Sequence, residues 1–390
     1  MRATACWLHR ALGVGLLLTA AACAPAAPAK TAPGRAAGAA PTDATPATVW
    51  QEATRPEAEQ QALVEGARRE GQLAFVWGAT TMGGREGLRR LAEGFNRHYG
   101  LQLDVQFTPG PSMPEMAQRI AQEAVAGRPA SSDVLPGYAV HMAVAVAANA
   151  LEPVDWQSWA ENVRRAEQVV AGGAAVTFET STPGITYNTG RLRPDEVPTS
   201  LQDLLKPQYK GRVASTPFAA NFDYLASDDL WGEARTMDYL TKLADQVAGL
   251  MRCTEHERLV TGEFDLLALD CSQNNALALQ AKGAPIGFTL AADAPLLLPL
   301  YVGVPRNARH PDAAKLWVDY LLSREAQDIL YEENASDSHL IAGSKSAERV
   351  ETLQRAGVRF TVADVDFVQR QDEAEFNRRR ARAQEILQKR

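Results

Sequence analysis

From residue 55 onward the apolar positions follow two alternating rhythms. Ala58, Ala62, Leu63 and Ala67 recur at helical spacing between charged residues, and Gly71 follows, so 55–70 is predicted as an amphipathic helix with a glycine stop. Leu73 to Trp77 is a short unbroken apolar run, the pattern of a parallel strand buried on both faces. A loop rich in Gly and Thr (78–84) leads to a second helical stretch over 85–98, and 101–107 alternates as a strand does. Helix 113–126, strand 133–135 and helix 138–149 continue the series. Strand–loop–helix repetition at this pitch predicts a parallel sheet covered by helices, with ligands at the carboxyl ends of its strands.

A second set begins after Gly172-Gly173. Residues 175–182, 184–188 and 213–216 read as extended, and Ser200 caps a short helix. Helices 219–230 and 233–249, strand 264–269, helix 273–282 and strand 285–290 follow. Residues 298–304 are extended and enter helix 311–322. The charged segment 371–389 is predicted as a helix whose Arg378-Arg379-Arg380 run forms a solvated face.

The first 47 residues obey neither rhythm. Arg2 and Arg10 precede an apolar run, Ala11–Ala22, too short for a permanent bilayer span, and Ala20-Ala21-Ala22 come directly before Cys23. That pattern predicts a secretory signal over 1–22. Its end resembles the bacterial lipobox, with Ala20 where Leu is usual, which implies a lipid on Cys23. Residues 24–47 hold eleven Ala and five Pro among twenty-four positions and no large apolar residue, the composition of a tether. The remainder carries 36 basic and 46 acidic side chains, against a basic excess for a nucleic-acid binder. Cys6 leaves with the signal. Cys253 and Cys271 remain in an oxidising compartment and are expected to form a disulfide; two reduced thiols are the alternative.

Five stretches carry a resemblance. "ALVEGARREGQLAFVWGATT" (62–81), "GITYNTGRL" (184–192), "PTSLQDLLKPQYKGRVAST" (198–216), "LVTGEFDLLAL" with "NALALQAKGAPIGF" (259–269, 275–288) and "GVPRNARHPDAAKLWVDYLLSREAQDIL" (303–330) follow the order found in bacterial extracellular solute-binding lipoproteins of ABC importers. They are similar to the type 2 periplasmic-binding-protein class that includes ferric-ion, thiamine, polyamine and phosphonate binders. The resemblance implies an α/β, two-lobe fold, each lobe a mainly parallel sheet flanked by helices, with hinge strands crossing between lobes near 176–182 and 298–304. Lobe 1 is expected at 48–181 and 302–335, and lobe 2 at 182–301 and 336–390.

It further implies a monomer that closes on a small solute, anionic or zwitterionic, and presents it to permease subunits. No cofactor and no metal are expected. The candidate ligand-binding residues are Trp77, Ala79, Thr80, Thr81, Ser132 and Tyr138 on lobe 1, and Thr216, Phe218, Asn221, Asp223, Ser272 and Gln273 on lobe 2. Ferric binders of this class present adjacent tyrosines, and this chain has no Tyr-Tyr pair. An enzyme is disfavoured, because G-x-S-x-G, H-E-x-x-H and Walker patterns are missing. A sensing receptor subunit would look the same.

Overall fold

The computed structural model describes residues 57–79 and 81–389. The predicted signal, the tether, Cys23 and Thr80 lie outside the described residues. In chain order, α1 (Glu57–Glu70), β1 (Gln72–Trp77), α2 (Gly84–Tyr99), β2 (Asp104–Pro109), α3 (Met113–Val125), β3 (Leu135–Tyr138), α4 (Ala139–Ala147), α5 (Trp156–Trp159), β4 (Val169–Val170) and β5 (Ala175–Ser181) form the first part. The middle runs through β6 (Gly184–Asn188), β7 (Val213–Ser215), α6 (Phe222–Leu225), α7 (Glu233–Ala244), β8 (Val247–Leu250), α8 (Glu257–Val260), β9 (Leu266–Asp270), α9 (Asn274–Ala281) and β10 (Ile286–Thr289). Then follow β11 (Leu296–Gly303), α10 (Pro311–Leu321), α11 (Arg324–Asn334), α12 (Lys345–Arg355), β12 (Thr361–Val362), α13 (Val365–Gln369) and α14 (Glu373–Gln388). No described helix is long and apolar enough to cross a membrane.

Three sheets organise these elements. β1 and β2 pair in parallel, β12-β11-β5-β4 form a sheet with β3 also on β11, and β10-β6-β9-β7-β8 form the third. Two large apolar cores result. One gathers residues from Ala67 to Phe178 together with Leu300 to Leu330 and Val365. The other gathers Ile185 to Leu298 together with Ala363 to Leu387, and a smaller cluster around Leu267 and Phe264 lies beside it. β11 serves both, with Leu296 and Leu298 in one core and Leu300 and Val302 in the other.

Several expected boundaries moved, each for a local reason. The Asn96 side chain bonds both the N–H and the carbonyl of Leu103 (2.9 and 3.1 Å), which keeps 101–103 out of the ladder, so β2 starts at Asp104. Asp133 is committed to neighbouring backbone, so β3 starts at Leu135. The predicted helix 219–230 shrinks to α6, because Ala219 and Asn221 sit at φ 50° and 64° and break it. The predicted helix 233–249 stops at Ala244 and is followed by β8, where Gly249 allows close approach of the Phe264 ring (2.2 Å from an added Cβ). α11 and α12 were not anticipated, although Ser323 and Ser344 cap them through the N–H groups of Ala326 and Ala347.

The arginine run is solvated only in part. Arg378 is exposed, Arg379 is buried, and Arg378 and Arg379 reach Glu233 while Arg380 reaches Asp223, so ion pairs link α14 to α7 and α6.

Cys253 and Cys271 are joined by a disulfide with Cα atoms 6.0 Å apart. It ties the loop after β8 to the end of β9. Replacing both cysteines by serine is expected to lower unfolding free energy by roughly 3 kcal/mol. Urea titration under oxidising conditions measures this, and a double variant as stable as the bridged protein would refute it.

Candidate functional site

The strand directions converge on one edge. β3 and β5 both run antiparallel to β11, so they end on the same side, at Tyr138 and Ser181. In the other sheet β7 and β9 are parallel and end at Ser215 and Asp270, and Gly184 at the start of β6 pairs with Asp270. Only Thr182 and Pro183 separate Ser181 from Gly184, so the two edges meet there. The Tyr138 hydroxyl hydrogen-bonds Ser181 Oγ at 2.9 Å. Gln273 closes the crossing from the other side, accepting from Thr182 N (2.5 Å) and donating to the Thr180 carbonyl (3.3 Å).

The expected site residues divide on this frame. Ala79 is exposed and Thr81 is half-buried on the loop after β1, where Met82, Gly83 and Gly84 all hold positive φ. Phe218 is 41% exposed, and Ser272 and Asn221 are half-buried at the ends of the second sheet. Asn221 Nδ2 reaches the Asp270 carbonyl at 3.3 Å.

Others are occupied by the fold itself. Trp77 is fully buried, stacks on Phe75 with centroids 4.7 Å apart, and donates its indole N–H to the Val134 carbonyl (3.2 Å); it is a core residue. Ser132 Oγ accepts from Val76 N (3.1 Å) and donates to Val134 O (2.7 Å), which spends its hydroxyl on stapling β1. Thr216 Oγ1 accepts from Ala220 N at 2.7 Å and shapes its own turn. Gln273 is the clamp just described. The Asp223 carboxylate is taken by Arg380 (2.7 Å), so it is not free for an incoming cation. The start of α2 offers little to an anion: an added Cβ at Gly83 would lie 2.4 Å from Glu333 Cβ, so Glu333 packs there.

Sequence reasoning passed over Glu179, the one acidic residue in a strand buried at all seven positions. Its position was the signal, since a lone carboxylate inside a buried strand needs a reason. Burial pushes its pKa up to about 8, with Asp337 adding to the rise and Ser336 and Asn334 easing it. Two histidines flank this edge. His141 Nδ1 accepts from Tyr138 N (3.1 Å), and burial, then the nearby Arg380 charge, brings its pKa down to about 4. His339 contacts Thr180 Oγ1 (2.6 Å), and burial, then Arg165, brings it to about 4. Within the second core, burial opposes charge on His256, but the Asp270 carboxylate 2.6 Å away outweighs it and raises the pKa.

These shifts have opposite consequences for stability. The unfolded chain protonates His141 and His339 near 6.5, so their contribution is lost as pH falls from 6.5 to about 4. Glu179 would ionise near 4.5 in the unfolded chain, so its contribution is lost as pH rises from 4.5 through 8. Glu179→Gln is therefore expected to remove about 2 kcal/mol of the decline between pH 6.5 and 8, with His256 retaining part of it. Urea midpoints across that range decide; a variant that declines as steeply as the parent contradicts the burial of this carboxyl.

Among the described residues, Cys253, Asp270 and Cys271 form one group of metal-ligating types, with atoms within 4.8 Å, but the disulfide occupies both sulfurs.

Two sheets with crossing strands and an edge shared between two cores define the two-lobe fold of type 2 periplasmic binding proteins. A substrate-binding protein of an ABC transporter from Agrobacterium tumefaciens superposes with TM-score 0.65 at 17% identity, covering 82% of this chain and 96% of that one. The chain belongs to the bacterial extracellular solute-binding protein family, whose profile matches residues 134–368. An uncharacterized protein of Haemophilus influenzae is 30% identical over 178 residues, 43% of this chain and 50% of that protein. An Fe(3+)-binding periplasmic protein of Serratia marcescens is 23% identical over 184 residues, 43% of this chain and 52% of that protein. The chain thus spans about half the length of these two relatives.

Proposed function

We propose that this protein captures a small solute between two lobes that close around it, and delivers the loaded form to the permease of an ABC importer. The observation that carries this reading is that β11 has residues in both cores and β5, in the first, runs on into β6 in the second, beside the Tyr138–Ser181 and Gln273–Thr182 contacts. A solute touching both edges favours the closed arrangement by its preferential affinity for it.

Lobe 1 is taken as 48–181 and 302–335 and lobe 2 as 182–301 and 336–390, with the packing of 363–387 on the second core supporting the latter. Export with a lipid on Cys23 would hold the lobes near a membrane on the Ala/Pro tether. Ala79, Thr81, Tyr138, Phe218, Asn221 and Ser272 remain the candidates for contact, joined by Thr80.

A thermal-shift panel of amines, amino acids, sugars, phosphonates, dicarboxylates and ferric citrate, with small-angle scattering of any hit, tests the reading. A bound solute should raise Tm and shrink the radius of gyration. No shift from any class and no compaction would defeat it.

A further inference from the structure

We propose that the solute carries a cationic nitrogen, a protonated amine or a guanidinium, and that Glu179 is its counter-ion. This rests on the binding function just proposed and names the chemical class that the site selects.

Glu179 lies on the row Tyr138–Leu300–Glu179 that crosses three neighbouring strands, one step from the edge where the two cores meet. It is 2% exposed. The side chains that act on it are Ser336, Asp337 and Asn334, none of them basic. Asn334 Nδ2 stands 3.5 Å from Oε2, and Oε1 has no hydrogen-bond partner among the described residues. The Ser336 hydroxyl lies near enough to ease the carboxyl's charge but makes no aligned bond. A buried carboxyl without a cation is costly, and a binding edge is where such a group finds a use.

A second buried oxygen lies on α9, whose Ala276 belongs to the small cluster beside the second core. Asn274, the first residue of α9, has its Oδ1 buried without a partner. α9 packs against α11, the helix that ends at Asn334, and α11 also supports the loop after β1. Two buried oxygens without a hydrogen-bond partner among the described residues therefore stand on β5, in the first core, and on α9, in the cluster beside the second, and α9 packs on the helix that ends at Asn334. A ligand bringing N–H donors and positive charge satisfies both. An anion would bring no donor to Asn274 Oδ1 and would meet the Asp337 carboxylate that already acts on Glu179.

The proton balance follows. Closed and empty, the site shelters a protonated Glu179. Closed on a cation, the carboxylate forms an ion pair and its proton leaves to solvent, so binding near pH 7 releases up to one proton.

The test is calorimetry on the full mature chain with monoamines, diamines, arginine and guanidine compounds against dicarboxylates, sugar phosphates and ferric citrate. Cations should bind, with heats that differ between phosphate and Tris buffers as proton release requires. Glu179→Gln, nearly the same size, should weaken that binding by about a hundredfold. Asn274→Leu should weaken it about tenfold, and circular dichroism should show both variants folded. Binding of anions or neutral sugars without cations, or cation binding that survives Glu179→Gln within about threefold, overturns the cationic class and leaves solute capture standing. Failure of every compound together with absence of compaction overturns both.

Discussion

Trp317→Ala is expected to lower the unfolding free energy by about 3–5 kcal/mol. Trp317 lies on α10, fully buried, with its ring 4.8 Å from Phe75, 5.3 Å from Phe95 and 6.0 Å from Tyr320. It thus joins β1, α2 and α10 in one aromatic cluster. Truncation removes the transfer energy of a large ring and leaves a cavity that three other rings cannot all collapse into. Trp317→Phe should cost less, about 1–2 kcal/mol, because the indole N–H is buried without an acceptor and nothing is orphaned by its loss. Urea unfolding followed by circular dichroism separates the two. An alanine variant within about 1 kcal/mol of the parent would mean that the cluster does not support the first core.

Asp133→Ala is expected to cost a similar amount, about 3–5 kcal/mol, by an unrelated mechanism. One carboxylate, 1% exposed, serves four donors. Oδ2 accepts from Ala74 N and contacts His310 Nδ1, both at 2.7 Å, and Oδ1 accepts from Arg309 N and His310 N at 2.9 and 3.1 Å. Alanine leaves three backbone N–H groups without their acceptor at the point where β1, the start of β3 and the entry to α10 meet. Asp133→Asn offers a single carbonyl and should fall between. Hydrogen exchange at Ala74, Arg309 and His310 reports the damage locally; unchanged protection there would reject the account.

The alternation of strands and helices was legible in the sequence, because buried parallel strands leave unbroken apolar runs and helices leave a 3.6-residue period, whereas the crossing near 176–182 and 298–304 and the two-lobe class came from the resemblance of five stretches to a known family. The site was less legible. Trp77 and Thr216 sit at strand ends, as ligand contacts do, but strand position says nothing of which way a side chain turns or what has already claimed its polar atoms. Asp223 looked available because Arg380 stands 157 positions away in the chain. Glu179 was not legible as a site because 175–182 reads as a buried strand, and the apolar pattern says nothing of what a single carboxylate within it meets. α6 was misjudged because the backbone angles at Ala219 and Asn221 overrule the side-chain pattern, and β8 because Gly249 admits the Phe264 ring where a helix was expected.

The way the two cores share the chain has a mechanical meaning. The backbone passes between them along β5 into β6, along β11, and again between Leu330 and Ala363, and α13 places Val365 in one core and Phe367 in the other. Two adjacent passages fix an axis, and a third connection restrains twisting about any other. Two bodies tied in this way retain one soft coordinate instead of six. Most of the rotational and translational freedom that a free pair of domains would surrender on gripping a ligand was already surrendered when the chain folded, so in the closure proposed above little of a solute's contact energy would be diverted to bringing the two bodies together.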